Sequence, residues 1–236
     1  MQSENLLLNQ LNASTYSKIA PALIAVNLER GHELARPRER VHRAYFPYGG
    51  AISCVVKLPG GDAIETAMIG KDGEWGAAQA LDDKVSLNGV MVQIAGKGSA
   101  IEADRLRRLA DELPDLRALL MRYEHFFSAQ VQQTAACNAV HQVEPRLCRW
   151  LLRLYDLVGP DYMITQEFMA EMMGVRRTSV TTIASNLQKA GAISYSRGQV
   201  HIHDVSILEA RSCECRAEIR LHYEELFHPQ ELNRID

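Results

Sequence analysis

Three hydrophobic periods follow one another along the chain. From about Arg43 to Glu102, apolar and polar residues alternate in short runs broken by glycine, the period-two signature of strands. In AISCVVKL, Ile52, Cys54, Val56 and Leu58 share one face while Ser53 and Lys57 point the other way. Val90, Val92 and Ile94 alternate similarly in GVMVQIAG. Gly49-Gly50, Gly60-Gly61-Asp62, Gly70-Lys71-Asp72-Gly73 and Gly96-Lys97-Gly98 supply turns between the runs. The pattern predicts a compact antiparallel sandwich or roll.

Past Asp104 the period becomes helical. Pro114 suits a first turn, where its missing N–H costs nothing. Leu113, Leu116, Leu120, Tyr123 and Phe127 then recur at alternating spacings of three and four, and the register runs on through Gln130, Thr134 and Cys137. This is a heptad seam, and it predicts a long helix that pairs with a second copy through Leu116, Leu120, Tyr123 and Phe127. Leu119 and Phe126 form a second stripe for the intramolecular side. The alternative is an ordinary amphipathic helix packed on its own domain. A further helix begins near Glu144-Pro145, buries Leu147, Cys148, Leu151, Leu152, Leu154 and Tyr155, and stops at Gly159-Pro160.

The most informative stretch runs from Ile164 to Asp204. Thr165 is a good N-cap and Glu167 puts an acid in the first turn of a short helix carrying Phe168, Met169 and Met172 to Met173. Gly174 breaks it, and a second helix begins near Arg177, which is the spacing of a helix-turn-helix. Val180, Ile183, Ala184 and Leu187 make its buried stripe; Thr178, Thr181, Thr182 and Ser185 make an opposite face, small and polar enough to enter a groove. Gly191 closes it, and Ala192–Ser196 and Gln199–His203, joined at Arg197-Gly198, form a hairpin wing.

Charge changes the picture locally. The chain as a whole carries a net −3, with 47% hydrophobic and 23% charged residues, as in an ordinary globular protein. Between Met172 and His203, however, there is no Asp or Glu, while Arg176, Arg177, Lys189 and Arg197 are present. A basic stretch inside an acidic chain is a phosphate-facing surface built without global charge. Arg177, at the start of the second helix, is placed to give two parallel hydrogen bonds to guanine O6 and N7. Thr178, Thr181 and Thr182 suit base edges and thymine methyls. Ser179, Thr165, Lys189 and Arg197 suit phosphates, and Arg176 suits either.

With these residues in view, the chain resembles the Crp/Fnr superfamily of bacterial regulators, relatives of the catabolite activator protein, most specifically in QVEPRLCRWLLRLYDLVG and in Ile164–His203. The ending LEARSCECRAEIRLHYEELF is similar to a tail in one branch of that superfamily. The resemblance implies an α+β protein: a cyclic-nucleotide-binding-like β-roll over 1–112, a dimerisation helix over 113–138 and a winged helix-turn-helix over 139–236. It further implies a homodimer, bound to an inverted repeat in double-stranded DNA, with RNA polymerase a candidate partner; a cytoplasmic location is expected from the lack of a membrane span or signal peptide. Arg177 takes the place of the family's first base-reading arginine. Thr178 stands where many relatives carry a glutamate, and Thr182 where many carry a second arginine, so the site read is expected to differ. Cyclic-nucleotide-binding relatives have a Gly-Glu and, about ten residues on, an arginine; here Ala77 and Ala78 follow Gly76, and Ser86 to Asn88 offers no arginine. Lys84 lacks the bidentate fork. Dependence on cyclic AMP is therefore not expected, and the effector is unassigned.

Other chemistry finds less support. No apolar run approaches the length of a membrane span, and MQSENLLLNQLNAS lacks the form of a signal peptide. No P-loop, Gly-x-Ser-x-Gly or His-Glu-x-x-His motif is present, and no enzyme is expected. The five cysteines, Cys54, Cys137, Cys148, Cys213 and Cys215, are scattered and odd in number, and read as small buried side chains. Cys54 stands alone as the first, unlike the clustered N-terminal cysteines of iron–sulfur relatives. His32, His42 and His125 are isolated candidates for a haem ligand. Cys213-x-Cys215 with His201-x-His203 is a poor match to zinc spacing. No cofactor or metal is expected. The rival reading from another class is a winged-helix module that binds a protein through the same polar face.

Overall fold

The computed structural model describes residues 3–82 and 85–228; Lys84 lies outside them. After a short helix α1 (Ala13–Ile19), the chain runs through β1 (Ile24–Leu28), β2 (Glu33–Ala35), β3 (Arg43–Pro47), β4 (Ala51–Lys57) and β5 (Ala63–Ile69). Helix α2 (Ala77–Asp82) precedes β6 (Gly89–Ile94) and β7 (Gly96–Glu102). The strands pair antiparallel in two sheets, β1-β7-β3 and β2-β6-β4-β5. Leu28, Ile52, Cys54, Ala67, Ile69, Val90 and Val92 fill the roll.

The alternation expected for β4 places Ile52 and Cys54 correctly and fails beyond them. Ser53 and Val55 are as buried as Ile52 and Cys54, and Leu58 is exposed. Ala51, Val55, Ala63 and Met68 pack outward onto the helices that follow, so this sheet is covered on both sides. Ladder irregularities at Cys54/Val55 and at Ala51/Ile52 bend the strand into that position.

Helix α3 (Ala103–Glu112) and the start of α4 (Pro114–Val140) cover the β1-β7-β3 sheet, burying Phe46, Ile101, Leu106, Leu116 and Leu120. Pro114 occupies the first turn of α4, as its chemistry favours. The predicted seam requires correction. Leu116, Leu120 and Tyr123 are fully buried within one chain, and Phe127 is half-buried against the roll. Gln130, in the same register, accepts from the Met68 N–H at 2.9 Å. Heptad spacing identifies an apolar face without saying which partner covers it; here the roll and the tail cover it. The stripe left to solvent is Ala118, Met121, His125, Ser128, Gln132, Ala135 and Ala139, also at spacings of three and four.

From α4 the chain enters α5 (Val143–Val158), β8 (Asp161–Met163), α6 (Gln166–Met173), α7 (Arg177–Lys189), β9 (Ile193–Ser196), β10 (Gln199–Ile202), α8 (Val205–Arg211) and α9 (Cys215–Phe227). Strands β8, β10 and β9 form the third antiparallel sheet. Trp150 of α5 donates to Glu65 of β5 at 2.8 Å, and Arg153 forms a two-pronged pair with Asp72, tying this half to the roll. Helix α9 turns back along α4, with Phe227 and Tyr223 against Phe126. No helix of the described residues is long and apolar enough to cross a membrane.

Candidate nucleic-acid interface

The candidate reading surface is assembled from α6, α7 and the β9–β10 hairpin. Thr165 caps α6, accepting from the Phe168 N–H. Gly174 ends it in the left-handed conformation (φ +63°) that L side chains rarely adopt, and a side chain there would also meet Ile64 of β5. Val180, Ile183, Ala184 and Leu187 are the buried face of α7, and Val180, Ile183 and Leu187 join the core that also holds Leu151, Met169 and Val200. That burial fixes which side of α7 faces outward.

Outward lie Arg176, Arg177, Thr178, Thr181 and Thr182, all exposed, with Ser179 and Ser185 half-buried at the margins. Thr182 Oγ1 donates to the Thr178 carbonyl at 3.0 Å; Thr181 Oγ1 lies 3.1 Å from the Arg177 carbonyl and 2.7 Å from Gln166 Oε1. With their protons engaged, both hydroxyls keep acceptor capacity, which suits amino groups at base edges. Lys189 closes α7. At the wing tip Arg197 (φ +49°) and Gly198 (φ +83°) form the two-residue turn with both φ positive that fits a tight hairpin, leaving Arg197 exposed.

Two contacts escape a reading along the sequence. Glu167 pairs with Arg177, Oε2 to Nη1 3.0 Å, so the stretch that is acid-free along the chain is not so in space. Gln166 joins the first turn of α6 to Thr181. Both are brought in by the turn at Gly174, which contiguous counting ignores. The His201–His203 pair does not approach the cysteines: His201 Nδ1 is 2.6 Å from Asp161, and the two rings lie edge to face at 4.5 Å.

The roll holds a cavity of about 200 Å³ where the resemblance places a cyclic nucleotide; Glu74, Gln79, Ser86, Asn88, Tyr123, Glu124 and Phe127 are among its lining residues. None of its described lining residues is a cation. Burial, the larger cause, and the neighbouring Glu124 push the Glu74 carboxyl up to about 8, against the pull of the Ala77 N–H. Among the described lining residues a phosphate meets carboxyls and neutral polar groups but no guanidinium or ammonium.

Comparison with known proteins agrees with this geometry. Residues 145–211 match the Crp-like helix-turn-helix domain. The fold is similar to FixK2 from Bradyrhizobium japonicum (TM-score 0.69, 12% identity, covering 81% of this chain and 98% of that one). It is similar also to CLP, a c-di-GMP-responsive global regulator of Xanthomonas campestris (0.65, 14%, 82% and 100%). A third is a CRP-family transcriptional regulator of Thermus thermophilus, TTHB099 (0.66, 20%, 79% and 96%). No curated protein matches by sequence. The chain thus carries a Crp-like helix-turn-helix domain within the fold of the Crp/Fnr transcription regulators.

Proposed function

We propose that the protein is a sequence-specific, DNA-binding transcription regulator that reads an inverted repeat as a homodimer, without cyclic AMP. The observation that carries this reading is the outer face of α7: Arg177 at its start, Thr178, Thr181 and Thr182 behind it, and a wing arginine beside it, all exposed. Arg177 reads a guanine; the threonines contact neighbouring base edges. Arg176, Thr165, Ser179, Ser185, Lys189 and Arg197 set register on the phosphates. The α4 stripe centred on Met121 and His125, 64% exposed at Met121, pairs with its copy and sets the spacing of the two α7 helices at about 34 Å, one turn of duplex. Independence from cyclic AMP rests on the acid-lined cavity, which has no cation among its described lining residues.

The test is selection of sites from a random duplex pool by the purified protein and by Arg177→Ala. Enrichment of an inverted repeat, with selectivity relaxed at one position per half-site in the variant, supports the reading. Binding that is weak and indifferent to salt would favour a protein-binding winged helix, since phosphate contacts make DNA affinity fall steeply with ionic strength.

A further inference from the structure

Away from the DNA-facing surface, four soft donors from two distant stretches converge. Cys137 lies in the last turn of α4, and His141, four residues on, caps that helix; this spacing puts both on one helix face. Cys213 sits between α8 and α9, and Cys215 opens α9. Cys137 Sγ is 3.6 Å from Cys213 Sγ, and Cys215 Sγ is 3.5 Å from His141 Nδ1. All four ligand atoms lie within 4.8 Å of one another. Around a tetrahedral zinc ion, with Zn–S about 2.3 Å and Zn–N about 2.0–2.1 Å, neighbouring ligand atoms stand roughly 3.6–3.8 Å apart. The two short pairs are therefore already near edge length.

Three further features distinguish this cluster from a chance meeting of thiols. His141 Nε2 is 3.1 Å from Glu214, the residue between the two tail cysteines. A carboxylate on the far nitrogen fixes the tautomer that turns the Nδ1 lone pair toward the sulfurs. The three cysteines are buried together in a cluster of their own, with His141 half-buried at its edge. Arg149 and Arg146 project positive charge onto Cys137, offsetting the single negative charge that three thiolates leave on a dication. A disulfide would join two of the sulfurs and leave the third, the histidine and its carboxylate without a role. A polynuclear iron–sulfur core needs thiolates spread around it, whereas these donors close on one ion.

We propose that Cys137, His141, Cys213 and Cys215 form a Cys3His site for one zinc-class divalent ion, which clasps the C-terminal tail to the joint between the long helix and the DNA-reading half. The ion would be borderline-soft and tetrahedral, as the thiolate-rich set demands. His141 is itself the joint between α4 and α5. Metal binding therefore adds a cross-link where the reader meets the dimer helix, beyond the aromatic packing of Phe126, Tyr223 and Phe227.

The test uses full-length protein purified under reducing conditions and given Co2+, then Zn2+. About one Co2+ per chain is expected, with an intense thiolate-to-cobalt charge-transfer band and tetrahedral ligand-field bands that Zn2+ abolishes. Cys213→Ser/Cys215→Ser loses both, Cys148→Ser keeps both, and Glu214→Gln weakens the metal about 10–100-fold. Glu214 is exposed, so its variant tests the site even where the double serine fails to fold. Wild-type protein that retains all five thiols yet shows no charge-transfer band overturns the proposal. So does a folded double-serine variant that still binds cobalt with the wild-type spectrum.

Discussion

Arg177 donates to the carboxylate of Glu167 across the turn of the helix-turn-helix, Nη1 to Oε2 3.0 Å, with both side chains about two-thirds exposed. On the proposed reading, the arginine that meets the base is therefore held by an acid from the neighbouring helix, and DNA must draw it away. An exposed pair of this kind is worth about 0–1 kcal/mol, enough to bias the side chain without fixing it. Glu167→Gln frees Arg177 and removes a charge that repels phosphate.

The expected result is a gain of about two- to fivefold in DNA affinity for Glu167→Gln, measured by anisotropy at fixed salt. Arg177→Ala costs about 1–3 kcal/mol of discrimination at the base pair it reads. In the double variant the gain from Glu167→Gln shrinks. An undiminished gain in the absence of Arg177 would mean that Glu167 acts on the phosphates alone.

The reader was legible because its signals are local: a cap at Thr165, a glycine at 174, a stripe at Val180, Ile183, Ala184 and Leu187, and a two-residue wing turn. What the sequence hid is non-local. Periodicity showed that Leu116, Leu120 and Tyr123 form an apolar face, but the roll and tail that cover it are contributed by residues far along the chain. The Cys3His cluster was hidden in the same way. Cys137 and His141 are one helical turn apart, a readable spacing, yet their partners lie more than seventy residues on. His201-x-His203 was the nearer pair in sequence to Cys213 and Cys215, but the hairpin points it at Asp161.

Glu65 makes stability depend on pH. It is buried in the roll, accepting from Trp150 Nε1 at 2.8 Å and from Ser53. Burial pushes its carboxyl up to about 7 from an ordinary 4.5, against the opposing pull of those hydrogen bonds and of Arg149 and Arg153. Because the folded chain keeps this proton longer than the unfolded one, stability falls as pH rises from about 4.5 to 7 and is flat above. A shift of this size corresponds to about 3 kcal/mol. Glu65→Gln keeps an acceptor for Trp150 and removes the ionisation. It is expected to be more stable than wild type at pH 8 and nearly equal to it at pH 4.5, in chemical denaturation at both values. A pH-independent difference would show that Glu65 titrates normally.

Asp72 and Arg153 join the roll to α5. Arg153 reaches both carboxylate oxygens, at 2.5 and 3.0 Å, and the Met68 carbonyl at 3.1 Å, with both side chains at or below 20% exposure. Removing one partner from a largely buried pair leaves the other charge unpaired, at a cost of about 3–5 kcal/mol when burial is complete. Asp72→Ala should therefore cost about 2–4 kcal/mol, and Arg153→Leu in the same chain should recover part of it. The double-mutant cycle in urea measures this directly. Additive losses would mean that the pair contributes nothing as a pair.

If the chains pair through α4 as proposed, its two faces separate folding from pairing. Leu120 and Tyr123 are buried inside one chain, whereas Met121 is 64% exposed on the stripe running from Ala118 to Ala139. Leu120→Ala removes core packing, so it should cost about 2–5 kcal/mol of chain stability. Met121→Glu removes nothing from the core and places like charges opposite each other across a twofold axis, so chain stability should hold while the dimer dissociates. Sedimentation and thermal melting of the two variants together distinguish the faces. A dissociated Met121→Glu protein that still melts normally, and that binds a single half-site but loses affinity for the full inverted repeat, places the seam on the exposed stripe. If Met121→Glu remains dimeric with intact affinity, the chains pair through another surface, and the spacing of the two α7 helices is not set by α4.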